Sequence, residues 1–142
     1  MCKHQYHMKV AALASEQVKV NGAKVGCVLV KDGRIISVGH NGNAPGANDA
    51  WIAKMPRDER LQFAIHAEEN AILNAARHGT SIENSTAYVT GYPCPGCASK
   101  LLSSGISKIY YREDLEFEKR WKYNALHMPL NISGDFIEKV PE

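Results

Sequence analysis

The 142-residue sequence predicts an α/β sandwich with three layers, α-β-α, around a mixed five-stranded sheet that begins with an antiparallel hairpin. Three observations carry that expectation. Short β-rich runs alternate with runs of helical period, the first two β-rich runs are separated only by Lys31-Asp32-Gly33, and the later ones are joined by helical stretches long enough to cross over to a parallel neighbour.

Residues 5 to 19 place Tyr6, Val10, Leu13, Ala14 and Val18 at near-helical spacing, which predicts a first amphipathic helix ended by Asn21-Gly22. Val25 to Val30 and Arg34 to Gly39 read as the hairpin strands, since an Asp-Gly pair between β-rich runs favours a tight two-residue turn. From Asn41 to Asp49 the chain is rich in Gly, Asn, Ala and Pro, a loop whose backbone can approach a ligand closely. Residues 66 to 78 carry Ala67, Ala71, Ile72 and Ala75 on one side among strong helix formers, with Gly79 as a stop. Thr86 to Thr90 then reads as a strand, Cys94 to Ser104 as a helix halted by Gly105, and Lys108 to Arg112 as another strand. Residues 114 to 127 predict a last helix and Phe136 to Val140 a fifth strand.

With 44% hydrophobic and 23% charged residues and no repeat or linker, the sequence reads as one domain over 1–142. Its 17 basic and 15 acidic residues are dispersed, giving +2, so there is no basic stripe of the kind that binds duplex nucleic acid. That balance still leaves room for a phosphate held by one or two cations. Met1 to Val10 is polar, and no segment approaches the roughly 20 apolar residues of a membrane span, so a soluble cytoplasmic protein is expected.

Cys94 and Cys97 form a CxxC pair, which in a reducing compartment reads as a zinc staple, a redox pair or half of a catalytic metal site. His66-Ala67-Glu68 changes the balance. One imidazole and two thiolates give zinc three ligands and leave the fourth position for water, as a catalytic zinc requires. At the start of a helix Cys94 and Cys97 share one face, where the helix N-terminus favours thiolate. His66 and Glu68 can face the same point only where a helix is just beginning, so two helix starts are expected to meet there. Glu68 is then positioned to move protons between a metal-activated water and a leaving amine.

The combination His66-x-Glu68 with Pro93-Cys94-x-x-Cys97 is the signature of zinc deaminases that act on nucleobases. Over nearly its whole length the chain resembles the deoxycytidylate (dCMP) deaminase family of the cytidine deaminase superfamily. The resemblance rests on Lys24-Val25-Gly26-Cys27, Gly33-Arg34-Ile35-Ile36, Gly39-His40-Asn41-Gly42, His66-Ala67-Glu68-Glu69-Asn70-Ala71-Ile72 and Tyr88-Val89-Thr90 leading into Pro93-Cys94-Pro95-Gly96-Cys97-Ala98. It implies the cytidine-deaminase-like fold, one catalytic Zn2+ held by His66, Cys94 and Cys97, and hydrolysis of dCMP to dUMP and ammonia with Glu68 carrying the protons.

The resemblance also implies Asn41 at the sugar and the Ala67 backbone amide at the base carbonyl; Tyr92, directly before Pro93-Cys94, is placed to stack on the base, and Val25 and Tyr111, which ends a strand near the same edge, are further substrate-pocket candidates. On residue type alone Asn41 is a turn residue before Gly42, and Tyr92, Tyr110 and Tyr111 are equally suited to core packing. Lys24, Arg57, Arg60 and Arg112 are the cations near the expected mouth that could hold a phosphate. Gly42, Asn43, Gly46, Asn48 and Asp49 match the region where relatives bind the regulators dCTP and dTTP, the triphosphate with Mg2+, in homohexamers. The stretch from Asn48 to Ile65 is shorter than in many relatives. Other deaminases of the superfamily, acting on dCTP, guanine or tRNA adenosine, share the zinc motif, and a non-catalytic zinc-binding module would share the ligands alone. Cys2, His4 and His7 read as a second metal site or, more simply, as a disordered or surface-lying terminus.

Overall fold

The computed structural model describes residues 1–20, 22–112, 114–123 and 127–141. Along the chain run α1 (Lys3–Ser15), β1 (Gly26–Lys31), β2 (Arg34–His40), α2 (Asp49–Ala53), α3 (Arg57–Arg60), α4 (Ala67–Arg77), β3 (Thr86–Val89), α5 (Pro95–Ser103), β4 (Lys108–Tyr111), α6 (Leu115–Phe117) and β5 (Ile137–Lys139). The five strands form one sheet in the order β2-β1-β3-β4-β5. β1 is antiparallel to both β2 and β3, whereas β3, β4 and β5 run parallel to one another. The mixed sheet with its leading hairpin is as expected.

The hairpin turn puts Asp32 at φ +52° and Gly33 at φ +77°, the pair of left-handed residues that a tight turn matched to strand twist needs. Alternation then sorts the side chains of β1 onto two faces. Cys27 and Leu29 pack with Ala67, Ala71 and Leu101 of α4 and α5 on one face, while Val28 and Val30 pack with Met8 and Ala11 of α1 on the other. Burial on both sides is the physical reason that β1 is continuously apolar from Cys27 to Val30.

Two elements depart from the sequence reading, and a third segment had none. α1 covers Lys3–Ser15 rather than 5 to 19, and it turns His7, Met8 and Ala11 inward while Tyr6 and Leu13 are exposed. The cause is close contact: a Cβ on Gly26 would lie 1.9 Å from the Ala11 carbonyl oxygen, so only a small residue can face β1 there. The terminus is therefore a packed helix rather than a disordered segment, with the His4 ring 4.5 Å from Tyr110 and its Nδ1 2.6 Å from the Tyr88 hydroxyl. The stop expected at Asn21 falls on a residue outside those described; helix α1 already ends at Ser15.

The stretch after Asn48, to which the sequence pattern assigns no element, holds two short helices. Asn48 caps α2 by accepting from the Trp51 amide at 3.0 Å, and α3 follows. The last helix expected over 114 to 127 is instead a single α-turn, α6, capped by Asp114, which runs on as a π-helical turn over Glu118–Lys122. Residues 124–126 lie outside those described. The wider turn carries the buried Glu118 carboxylate, 3.2 Å from the Tyr123 hydroxyl, 3.7 Å from Lys139 Nζ on β5 and 3.9 Å from Lys122 Nζ. A 3.6-residue pattern in the sequence does not anticipate a segment organised around one buried charge.

α4 is fastened to β2. Ser37 Oγ donates to the Ala71 carbonyl at 2.6 Å, Asn70 Nδ2 to that of His40 at 2.7 Å and Asn74 Nδ2 to that of Val38 at 2.8 Å. Contact is so close at Gly39 that a Cβ there would lie 2.5 Å from both the Ala67 oxygen and the Ala71 nitrogen. Gly39→Ala must push the start of α4 off the sheet. The expected cost is about 1–3 kcal/mol of stability, measurable by urea unfolding, together with weaker metal binding; wild-type values for both would contradict this account of how the helix is seated.

Candidate active site

α4 and α5 begin side by side, and both begin with a residue able to bind a metal. His66 is the N-cap of α4 and Cys94 the N-cap of α5, each with extended backbone before the first helical residue. Cys94 Sγ accepts from the Cys97 amide at 3.4 Å, the bond a capping side chain makes, and Pro95 at the first helical position has no N–H to leave unpaired. His66 Nδ1 lies 3.2 Å from Cys97 Sγ and 3.6 Å from Cys94 Sγ, and the three donor atoms all fall within 4.8 Å of one another. Neither cysteine is part of a disulfide. Among the described residues this is the one cluster of three such ligands, and it does not include Cys2, His4 or His7.

A second contact ties the two helix starts together. Glu69 accepts from the His66 amide at 2.8 Å, and its other oxygen pairs with Lys100 of α5. Burial works against the Glu69 charge, but Lys100 and the His66 amide outweigh it and hold the carboxyl below its ordinary range. The Cys97 S–H bonded to Cys94, reinforced by His66 and the Cys97 amide, outweighs burial and brings the Cys94 thiol down to about 4. The same bond, with burial, pushes Cys97 up. His66 is raised, first by its bond to Cys94. One nitrogen and two sulfurs, with one sulfur already a thiolate, are the donor set that suits zinc.

Glu68 is only 4% exposed, although it lines the cleft that opens over these donors. Burial pushes its carboxyl up to about 7; the Cys94 thiolate adds to the rise, while its own backbone N–H, His66 and Cys97 oppose it. Its proton is therefore exchangeable near neutral pH, the condition for general acid–base work.

The cleft has a volume of about 690 Å³ and brings most of the expected substrate residues together: Val25, Asn41, Ala67 and Tyr92 line it, as do Gly42 and Asn43. Asn41 braces its own loop, its Oδ1 accepting from the Val25 amide at 2.7 Å and one N–H of its Nδ2 donating to the Ala23 carbonyl at 3.0 Å. Gly42 exchanges two backbone bonds with Ile65, which clamps this loop to the residue before His66. Tyr111, 1% exposed, does not line the cleft; it lies behind Tyr92, edge-on at 4.9 Å, and accepts from Lys122 at 2.8 Å. Tyr110 packs on the far face against Tyr88 and His4. Gly46, Asn48 and Asp49 also lie outside the cleft, with Asp49 accepting from Asn43 at 2.9 Å.

Of the four candidate phosphate cations, Arg57 and Arg60 line the cleft and Lys24 and Arg112 do not. Sequence reasoning passed over Phe117, Arg120 and Trp121, which come to the cleft on α6 and the π-turn, and the buried His127, edge-on to Tyr92 at 5.2 Å. A regular helix over 114 to 127 would not have aimed Arg120 and Trp121 here, because both sit on the π-turn.

A three-layer α/β fold with two helix starts converging on an imidazole, two thiols and a buried carboxylate defines the class of metal-dependent deaminases. The chain belongs to the cytidine and deoxycytidylate deaminase family: residues 1–113 match its zinc-binding region. It is 35% identical to the deoxycytidylate deaminase of Enterobacteria phage T4, with 79% of this chain and 78% of that protein covered. It is 39% identical to a probable deoxycytidylate deaminase of Caenorhabditis elegans, over 79% of this chain and 58% of that protein. The crystal structure of the dCMP deaminase from cyanophage S-TIM5 in complex with dCMP and dUMP superposes with a TM-score of 0.72 at 27% identity, covering 96% of this chain and 95% of that one.

A carboxyl whose pKa is higher in the fold than in the unfolded chain adds stability that is complete below its ordinary value of 4.5 and lost as pH rises through about 7. In metal-free protein Glu68→Gln, a neutral isostere, is therefore expected to raise Tm at pH 8 and to change it little at pH 5. Equal shifts at both pH values would show that Glu68 is not the buried acid described.

Proposed function

We propose that this protein hydrolyses dCMP to dUMP and ammonia, using one Zn2+ held by His66, Cys94 and Cys97. The observation that carries the reading is the convergence of those three donors, with all donor atoms within 4.8 Å, at a cleft that also exposes an edge of the buried Glu68. The relatives named deoxycytidylate deaminase support the choice of substrate. Three protein ligands leave a coordination position for water, and zinc bound there supplies the Lewis acidity that makes water a nucleophile near neutral pH.

The chain's own residues do the rest. Glu68 accepts a proton from the water that attacks C4 of the cytosine ring and passes it to N3. It then carries the second proton from the new C4 hydroxyl to the amine, which leaves as ammonia. A carboxyl poised near 7 can both take and return a proton at each step. Ala67, the first residue of α4, lines the cleft, and its backbone amide, which has no partner within the helix, is the donor for the base carbonyl. Asn41 holds the loop against β1 and has the second N–H of its side-chain amide to offer to the sugar.

The reading extends to a cytoplasmic hexamer regulated by dCTP, bound with Mg2+, and by dTTP, through Gly42, Asn43, Gly46, Asn48 and Asp49; kinetics and Tm that do not respond to either nucleotide would remove that part. No helix among the described residues is long and apolar enough to cross a membrane.

Removing the metal with a chelator is expected to abolish ammonia release from dCMP, and adding Zn2+ to restore it. Glu68→Gln should keep one zinc per chain and lose at least about a hundredfold in kcat. Full activity in that variant, or turnover without metal, would defeat the proposal.

A further inference from the structure

We infer that Arg60, with Arg57 beside it on α3 and Arg120 on the π-turn, forms a guanidinium clamp that selects the 5′-monophosphate form of the substrate over the free nucleoside and the triphosphate. The inference rests on the deaminase reading above and adds the residues that decide which form of the nucleoside is taken.

Charge in the cleft is the first observation. Among the described residues the only charged side chains lining it, apart from the metal-site His66 and Cys94, are Arg57, Arg60, Arg120 and Glu68. Metal site aside, three guanidiniums against the one Glu68 carboxyl leave the cleft wall net positive, +2 when Glu68 is ionised, the sign and size that suit the −2 of a phosphate monoester. Gathering three like charges around one cleft costs free energy in the empty protein, a cost that a dianion relieves when it binds. Asp58 and Glu59 sit on the same four-residue helix, yet neither lines the cleft, whereas Arg57 and Arg60, three apart, share one face.

Hydrogen bonding is the second. Arg60 Nε is buried and has no partner among the described residues. A buried guanidinium N–H left unpaired is costly, so the position calls for an acceptor, and the cleft is where one can arrive. Arg120 pairs with Glu116 at 3.3 Å, an exposed contact within one helical turn, and lies over the Phe117 ring at 5.9 Å. Such an exposed pair is weak and can be exchanged for a phosphate oxygen, while the ring contact keeps the guanidinium in place. The planar forks of arginine suit the bidentate recognition of phosphate oxygens. The turn bearing Arg120 is fixed from beneath by Glu118 through Lys139 of β5, so this arm of the clamp stands on the sheet rather than on a free loop.

The test is kcat/KM for dCMP, deoxycytidine and dCTP with the zinc-loaded enzyme, its Arg60→Ala, Arg60→Lys, Arg57→Ala and Arg120→Ala variants, and calorimetric binding of dUMP and deoxyuridine. Wild type is expected to prefer dCMP over both other substrates. The dCMP to deoxycytidine ratio should fall about ten- to a hundredfold in Arg60→Ala, the loss expected when one charge-assisted bond is removed, less in the other two alanine variants, and only partly in Arg60→Lys. A ratio unchanged in all four variants, or dCTP preferred over dCMP, would overturn the clamp while leaving the deaminase reading intact. Wild type that turns over none of the three would defeat the deaminase reading instead. Binding then decides the clamp by itself: dUMP bound more tightly than deoxyuridine, with the difference lost in Arg60→Ala, upholds it, and equal affinities reject it.

Discussion

Two helix N-termini point at one small volume, and the rest of the molecule is arranged around that fact. Each N-terminus presents unpaired N–H groups and a partial positive charge, so bringing two together is unfavourable unless negative charge lies between them. Here it does. Cys94 as thiolate caps α5, Glu69 closes back on the cap of α4 and reaches across to Lys100, and Glu68 lies buried in the first turn. The features that offset the repulsion of the two helix ends are also those that make the place attractive to a divalent cation.

Precision at that point depends on the sheet. α4 cannot slide, because three side-chain bonds and the absence of a Cβ at Gly39 lock it onto β2. The strand that precedes α5 is β3, hydrogen-bonded in register between β1 and β4, and its end fixes where Cys94 begins its helix. Both donor-bearing caps are thus set by the ends of neighbouring secondary-structure elements rather than by mobile loops. The mutual geometry of an imidazole and two sulfurs is inherited from the geometry of a βα packing.

What could be read from the amino-acid sequence follows from how local each signal is. The hairpin, α4, α5 and the parallel strands were legible because Asp32-Gly33, the Ala67/Ala71/Ala75 face and Pro95 act within a few residues of themselves. His66, Glu68, Cys94 and Cys97 were legible because capping positions constrain which side chains can converge. The inward face of α1 was not, since it is chosen by Gly26, a residue on another element. The cleft wall made by Phe117, Arg120 and Trp121 was hidden for the same reason: Glu118 bends that segment into a π-turn through partners on β5 and the π-turn itself. Tyr111 was expected beside the base from its place at a strand end, but it is buried, and Tyr92, from the segment between β3 and α5, packs edge-on against it and lines the cleft in its stead.

The central claim is that three protein atoms, one nitrogen and two sulfurs, hold a zinc ion and leave a position open to water. X-ray absorption spectroscopy at the zinc edge of the purified, metal-loaded protein measures this directly. The account predicts two sulfur neighbours near 2.3 Å, one imidazole nitrogen near 2.0–2.1 Å and one further light atom that is replaced or perturbed when a dCMP analogue is added. A shell of four protein ligands that does not respond to the analogue would contradict it.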